Sequence, residues 1–227
     1  MKKNLIKYLG STVAVLAVAS TAHATTTDAL RYSVDGGSFT TVTDNGSGDT
    51  AGALGTITVS FSGVTVNITS STGSNLGADA SPVIDMGIIG TLGAGHTITV
   101  EYSVSGFTPV PTGSFVTSIA PGGVGAYSET ETTRVGTGLF GSTTVFGSIT
   151  ATPGHTVTGS HVVPTGTTDP YSLTISDVVT ATGTAVVSTD DTLTTVPDGG
   201  NTMMLLGSAL SALGLIKSRG FRKSVKA

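Results

Sequence analysis

An alternation of apolar and hydroxyl side chains, two residues long, sets the tightest limit on the architecture open to this chain. Ile57, Val59 and Phe61 alternate with Thr58 and Ser60, and Val64, Val66 and Ile68 alternate with Thr65, Asn67 and Thr69. Ile98, Val100, Tyr102 and Val104 alternate with Thr97, Thr99, Glu101 and Ser103, and Leu173 and Ile175 alternate with Ser172, Thr174 and Ser176. Successive side chains of a β-strand point to opposite faces, so each run presents one apolar face to a core and one Thr/Ser face to water. Further strands are expected at Leu30–Val34, Phe39–Thr43, Ser114–Ile119, Ser142–Thr150, His155–Val163 and Thr184–Ser188. Turn formers punctuate them: Asp35-Gly36-Gly37, Asn45-Gly46, Ser62-Gly63, Pro121-Gly122-Gly123, Pro153-Gly154 and Thr182-Gly183. No helical period lies between residues 25 and 196. Short strands at regular turn spacing predict an all-β domain, an antiparallel β-sandwich over residues 25–195, with Thr195-Val196 as the link to a distinct tail. No fixed-period repeat favours a solenoid.

Charge divides the chain differently. The formal net charge of −4 for 227 residues hides a body, from residue 25 to 196, in which Arg31 and Arg134 stand against thirteen acids and no lysine occurs, leaving −11. Such a body repels phosphate backbones, so nucleic-acid binding is not expected. With no cysteine there is no disulfide framework, and with no tryptophan only Tyr32, Tyr102, Tyr127 and Tyr171 could serve as stacking platforms in the body.

The ends carry the remaining cations. Lys2, Lys3 and Lys7 precede a short apolar stretch from Leu9 to Ala19, and Ala22-His23-Ala24 follows with small residues three and one positions before a cut. That order predicts a signal peptide, residues 1–24, cleaved after Ala24 by signal peptidase. At the other end, residues 196–227 form a second module. Val196-Pro197-Asp198-Gly199-Gly200 is a polar turn, Met203 to Ile216 is uncharged and apolar, and Lys217, Arg219, Arg222 and Lys223 close it. A helix of about 14 residues spans roughly 21 Å, short of a hydrocarbon core of about 30 Å, and flanking residues that snorkel make up part of the difference. The apolar residues leave no polar face, which predicts a short C-terminal transmembrane helix with its basic cluster on the cytoplasmic side.

Motif, short apolar helix and terminal basic cluster, in that order behind a signal peptide, resemble the PEP-CTERM class of sorting signals. The motif is similar to the VPDSG variant, with Gly199 in place of its serine. The segment from Pro170 to Ile175, with the Thr/Gly-rich residues after it, is similar to the last strands of β-sandwich bodies in such proteins. The resemblance implies an exosortase substrate of a Gram-negative bacterium: a precursor held transiently in the inner membrane, then released to the cell surface or to an exopolysaccharide-rich biofilm matrix. Pro197 blocks helix propagation and the Asp198-Gly199-Gly200 turn exposes the segment, which suits a grip by a membrane-embedded peptidase.

Candidate chemistry in the body is sparse. Gly136-Thr137-Gly138-Leu139-Phe140-Gly141 matches G-x-G-x-x-G, but the residues after it read as a strand, whereas a dinucleotide site needs a helix N-terminus. Asp44-Asn45-Gly46-Ser47-Gly48-Asp49 offers oxygen ligands without EF-hand spacing and reads as a hairpin loop. Asp190-Asp191 reads as a solvated turn. His155 and His161 would share a strand face without a third ligand, and His96 stands alone. Glu129 and Glu131, two apart, would share a face as a glycosidase pair does, but their threonine neighbours favour an exposed edge. No G-x-S-x-G elbow occurs. The expectation is therefore a non-enzymatic structural or interaction protein, with no catalytic, cofactor or metal residues. A carbohydrate-binding module built on Tyr102, Tyr127 and Tyr171 is the alternative, and a secreted hydrolase ranks third.

Overall fold

In the computed structural model, residues 27–53, 55–70, 83–108, 110, 113–141 and 143–196 are described; the expected signal peptide, with Ala22 and Ala24, and the tail from Pro197 onward lie outside them. Twelve strands run β1 (Thr27–Val34), β2 (Thr40–Thr43), β3 (Thr56–Phe61), β4 (Val64–Ser70), β5 (Val83–Leu92), β6 (Thr97–Phe107), β7 (Ser114–Ile119), β8 (Tyr127–Gly136), β9 (Thr143–Ala151), β10 (Val157–Val162), β11 (Tyr171–Ala181) and β12 (Ala185–Val196). They form two six-stranded sheets, β2-β1-β6-β11-β8-β9 and β10-β7-β12-β5-β4-β3, with every neighbouring pair antiparallel. No helix occurs among the described residues. The described residues are all-β, in two antiparallel sheets consistent with a sandwich.

The alternation works as expected. Leu30, Val100, Tyr102, Leu173 and Ile175 of the first sheet face Ile57, Val66, Met86, Ile88, Val187 and Leu193 of the second in one buried core. The other faces carry hydroxyl pairs such as Ser60–Thr65 and Thr130–Thr150. The β3–β4 hairpin closes on Ser62 and Gly63, both at positive φ (47° and 77°), the geometry of the tight turn that matches strand twist.

The last strand extends past its expected end, and β5 and β8 are additional to the expected strands. β12 continues through Thr195 and Val196, paired with Phe115 and Ser114 of β7, so these two residues belong to the sheet rather than to a linker. β5 was hidden by its glycines. Gly90 lies so close to β4 that a Cβ there would sit 2.5 Å from the Val64 Cα, which excludes any other residue. β10 begins at Val157, leaving His155 in the preceding turn.

Candidate functional site

Buried carboxyls lie on both sides of the first sheet around β11: Glu101 on the outer face, and a group of four in the gap toward the second sheet. On the outer face, Glu101 of β6 accepts from Arg31 Nε of β1 (2.6 Å), from Arg134 Nη1 of β8 (3.0 Å) and from Ser176 Oγ of β11 (3.1 Å). The registers make this cluster: Arg31 and Ser176 are the direct partners of Glu101 on its two sides. Burial alone would raise the Glu101 pKa, but Arg134 and Arg31 outweigh it and hold it below the ordinary glutamate value. The Gly136–Gly141 loop covers the cluster. Phe140, at φ 51°, donates its N–H to Ser103 Oγ and lays its ring 4.4 Å from the Arg31 guanidinium, with Phe39 at the same distance. The G-x-G-x-x-G match is thus a strand-to-strand loop that shields an ion cluster.

On the inner face the arrangement is different. Glu129 and Glu131 of β8, Asp177 of β11 and Asp191 of β12 all lie at 1% exposure or less in the gap between the sheets. Asp177 is the direct cross-strand partner of Glu131. One oxygen each of Glu129, Asp177 and Asp191 falls within 4.8 Å of the other two. Thr189 Oγ1 donates to Asp191 Oδ2 (3.3 Å), while both oxygens of Glu129, Glu131 and Asp177, and Oδ1 of Asp191, make no hydrogen bond of good geometry. Burial is the main cause that pushes Glu129 up to about 9, with the Asp191 charge next; burial and then Asp191 push Glu131 up to about 9. Asp177 and Asp191 are driven upward by burial as well, and their carboxyls approach closely enough to share a proton.

These placements correct two expectations and add a residue. Glu129 and Glu131 do share a face, but it is the core face and not an exposed edge. Asp191 is not in a solvated turn: the Asp190-Asp191 pair lies in β12 and splits across it. Asp190 meets Asp85 on the outer face, where burial and then Asp190 raise Asp85 to about 6, while Asp191 points inward. Asp177 was not singled out at all. Strand parity could have found every member: Glu129 and Glu131 are in phase with Tyr127 and Val135, Asp177 with Ile175 and Val179, Asp191 with Val187 and Leu193, and all those apolar residues are buried.

The other candidates resolve simply. Asp49 accepts from the backbone N–H groups of Asn45, Ala51 and Thr58, and Asp44 from that of Gly55, so both carboxylates organise their loop. His96 does not stand alone: its Nδ1 lies 2.7 Å from Asp35 Oδ2. His161 packs edge-on to Phe146, its Nε2 3.3 Å from Thr117 Oγ1, and does not share a strand with His155. Tyr102, Tyr127 and Tyr171 are all buried, which removes the three aromatics on which a sugar-stacking surface would depend. A hollow of about 150 Å³ between Val135–Thr137, Thr144 and Pro164–Thr168 has no titratable side chain in its lining.

The chain matches no known protein family, no curated protein and no solved structure.

Proposed function

We propose that this protein is an exported, exosortase-processed structural or interaction protein of the cell surface or extracellular matrix. Signal peptidase removes residues 1–24, the tail holds the precursor briefly in the inner membrane, and processing at the Val196–Gly200 motif frees an acidic β-sandwich to associate with exopolysaccharide. One observation supports the reading: β12 stays paired in the sheet up to Val196, the first residue of the sorting motif, so the motif follows directly on the last strand described. The outer faces carry exposed hydroxyl pairs that suit a hydrated environment, beside exposed apolar side chains at Ile89, Val124, Val145, Val162 and Val186 that suit a contact surface. Buried tyrosines weigh against the carbohydrate-binding alternative.

The test is processing. Converting Pro197 and Asp198 together to Ala is expected to leave an unprocessed precursor in the membrane fraction, whereas the parent chain yields a released product lacking both ends by mass spectrometry. Normal release of the double variant, or a product that still starts at Met1 and ends at Ala227, refutes the proposal.

A further inference from the structure

The inner carboxyls have the makings of a ligand set, on three separate grounds. Glu129, Asp177 and Asp191 each turn an oxygen toward a shared point, all within 4.8 Å of one another. That span is about twice a calcium–oxygen distance of about 2.4 Å, so an ion between them needs little rearrangement. Glu131 supplies the second ground: it is 1% exposed, both its oxygens lack a partner, and it faces the same space closely enough to feel the charges of Asp191 and Glu129. The third is the absence, among the described residues, of a permanent counter-charge between the sheets. Arg31 and Arg134, the two basic residues with permanent charge among the described residues, are both committed to Glu101 on the opposite face of the sheet.

A buried carboxylate left unpaired costs several kcal/mol on the scale of such groups, and four of them crowd one gap. Shared protons relieve part of this; a divalent cation relieves more, because it pairs with several oxygens at once. The three grouped donors are all carboxylate oxygens, and His161, the imidazole that faces the gap, is turned to Thr117 and Phe146, which selects a hard cation over zinc or copper. Magnesium requires a near-ideal octahedron and keeps several waters, whereas calcium accepts irregular carboxylate cages.

We propose that Glu129, Asp177 and Asp191, with Glu131 as the fourth carboxyl facing the ion, form an internal calcium site that ties β12 of one sheet to β8 and β11 of the other. The ion enters during folding, since the closed sandwich leaves these groups almost no exposure, and the affinity therefore appears as stability. This inference does not depend on how the chain is sorted.

The test uses the full-length chain in detergent, unfolded in urea with EDTA and refolded by dialysis against CaCl2, MgCl2 or EDTA. Elemental analysis is expected to find one calcium per chain, with the thermal midpoint higher in CaCl2 than in EDTA by about 5–10 °C. Asp177→Asn and Glu129→Gln should each lose the bound calcium and the midpoint shift while retaining a β-sheet circular dichroism spectrum. A wild-type chain that retains no calcium, or whose midpoint ignores it, overturns the proposal. So does equal calcium retention by both folded variants, which would place the ion elsewhere, for instance at the Asp44–Asp49 loop. A response to MgCl2 without calcium binding overturns the choice of ion. Should neither variant fold, Asp49→Asn in the surface loop decides: a variant that keeps the bound calcium and the midpoint shift supports the inner site, and one that loses them overturns it.

Discussion

Glu101 and Glu131 sit on β6 and β8, the two strands that flank β11, and both are almost fully buried. Glu101 faces outward beneath Phe140 and is held by two guanidiniums and a serine; Glu131 faces inward and has no hydrogen-bonding partner. The first is held below the ordinary glutamate pKa, the second pushed up to about 9. The same residue type, in the same sheet, is therefore charged on one face and protonated at neutral pH on the other unless a cation reaches it. Burial is the first cause at both positions; what separates them is whether positive charge shares the burial. The outer cluster shows that this chain supplies arginine where a carboxylate is covered from the solvent side. Between the sheets it supplies none.

The largest expected effect is on pH dependence. In EDTA, Glu129 and Glu131 keep their protons in the folded state up to about 9 but release them near 4.5 when unfolded. The contribution of bound protons to stability is fully present below about pH 4.5 and is lost progressively as pH rises toward 9, by up to about 1.4 kcal/mol per pH unit for each group. Denaturant unfolding at pH 5, 7 and 9 should show this decline, and saturating CaCl2 should flatten it. Glu101 pulls the other way: its folded-state pKa is lowered, so its contribution is present above the ordinary glutamate pKa and fades as pH falls through the folded value. A flat profile in EDTA from pH 5 to 9 would mean that the inner carboxyls are not desolvated as described.

One substitution made at two positions sharpens the contrast. Glu101→Gln leaves Arg31 and Arg134 facing each other without a counter-charge and should destabilise the fold by about 2 kcal/mol at pH 7, the guanidiniums' partial exposure keeping the loss below that of a fully buried pair. Glu131→Gln in EDTA at pH 9 should do the reverse, raising the denaturation midpoint because one buried charge is removed. Equal signs for the two variants would dissolve the distinction between the faces.

The smallest expected effect lies on the same strand as the inner glutamates. Thr130 sits between Glu129 and Glu131 but points outward, its hydroxyl 3.0 Å from that of Thr150 at the exposed face. Thr130→Val should shift stability by less than about 0.5 kcal/mol in either direction and leave any calcium response untouched. A shift of several kcal/mol would show that the outer face of β8 is not the solvated side.

Much of this was legible one strand at a time. Where one phase of the alternation is apolar and the other Thr or Ser, as in β3, β4 and β6, the inward face could be read directly. β8 defeated that reading because both phases of Ser128-Glu129-Thr130-Glu131-Thr132-Thr133 are polar, and only the distant Tyr127 and Val135 reveal which phase is inward. Asp191 was obscured in a different way: its neighbour Asp190 suggested a turn, and a strand was expected to stop at Ser188. In β5, Gly87 and Gly90 broke the pattern although Ile84, Met86 and Ile88 kept the beat.

What the chain's own order of residues determined is the class of structure, the hydrated outer faces, the acidity of the body, and the phase on which each carboxyl lies. A side chain's face follows from counting by twos along its own strand, which is local information. The tertiary structure alone decided that β8 and β11 would be neighbours and that β12, in the other sheet, would bring Asp191 opposite them. Those pairings join segments far apart in sequence, and the choice among partners depends on how both sheets pack at once, which no single strand records.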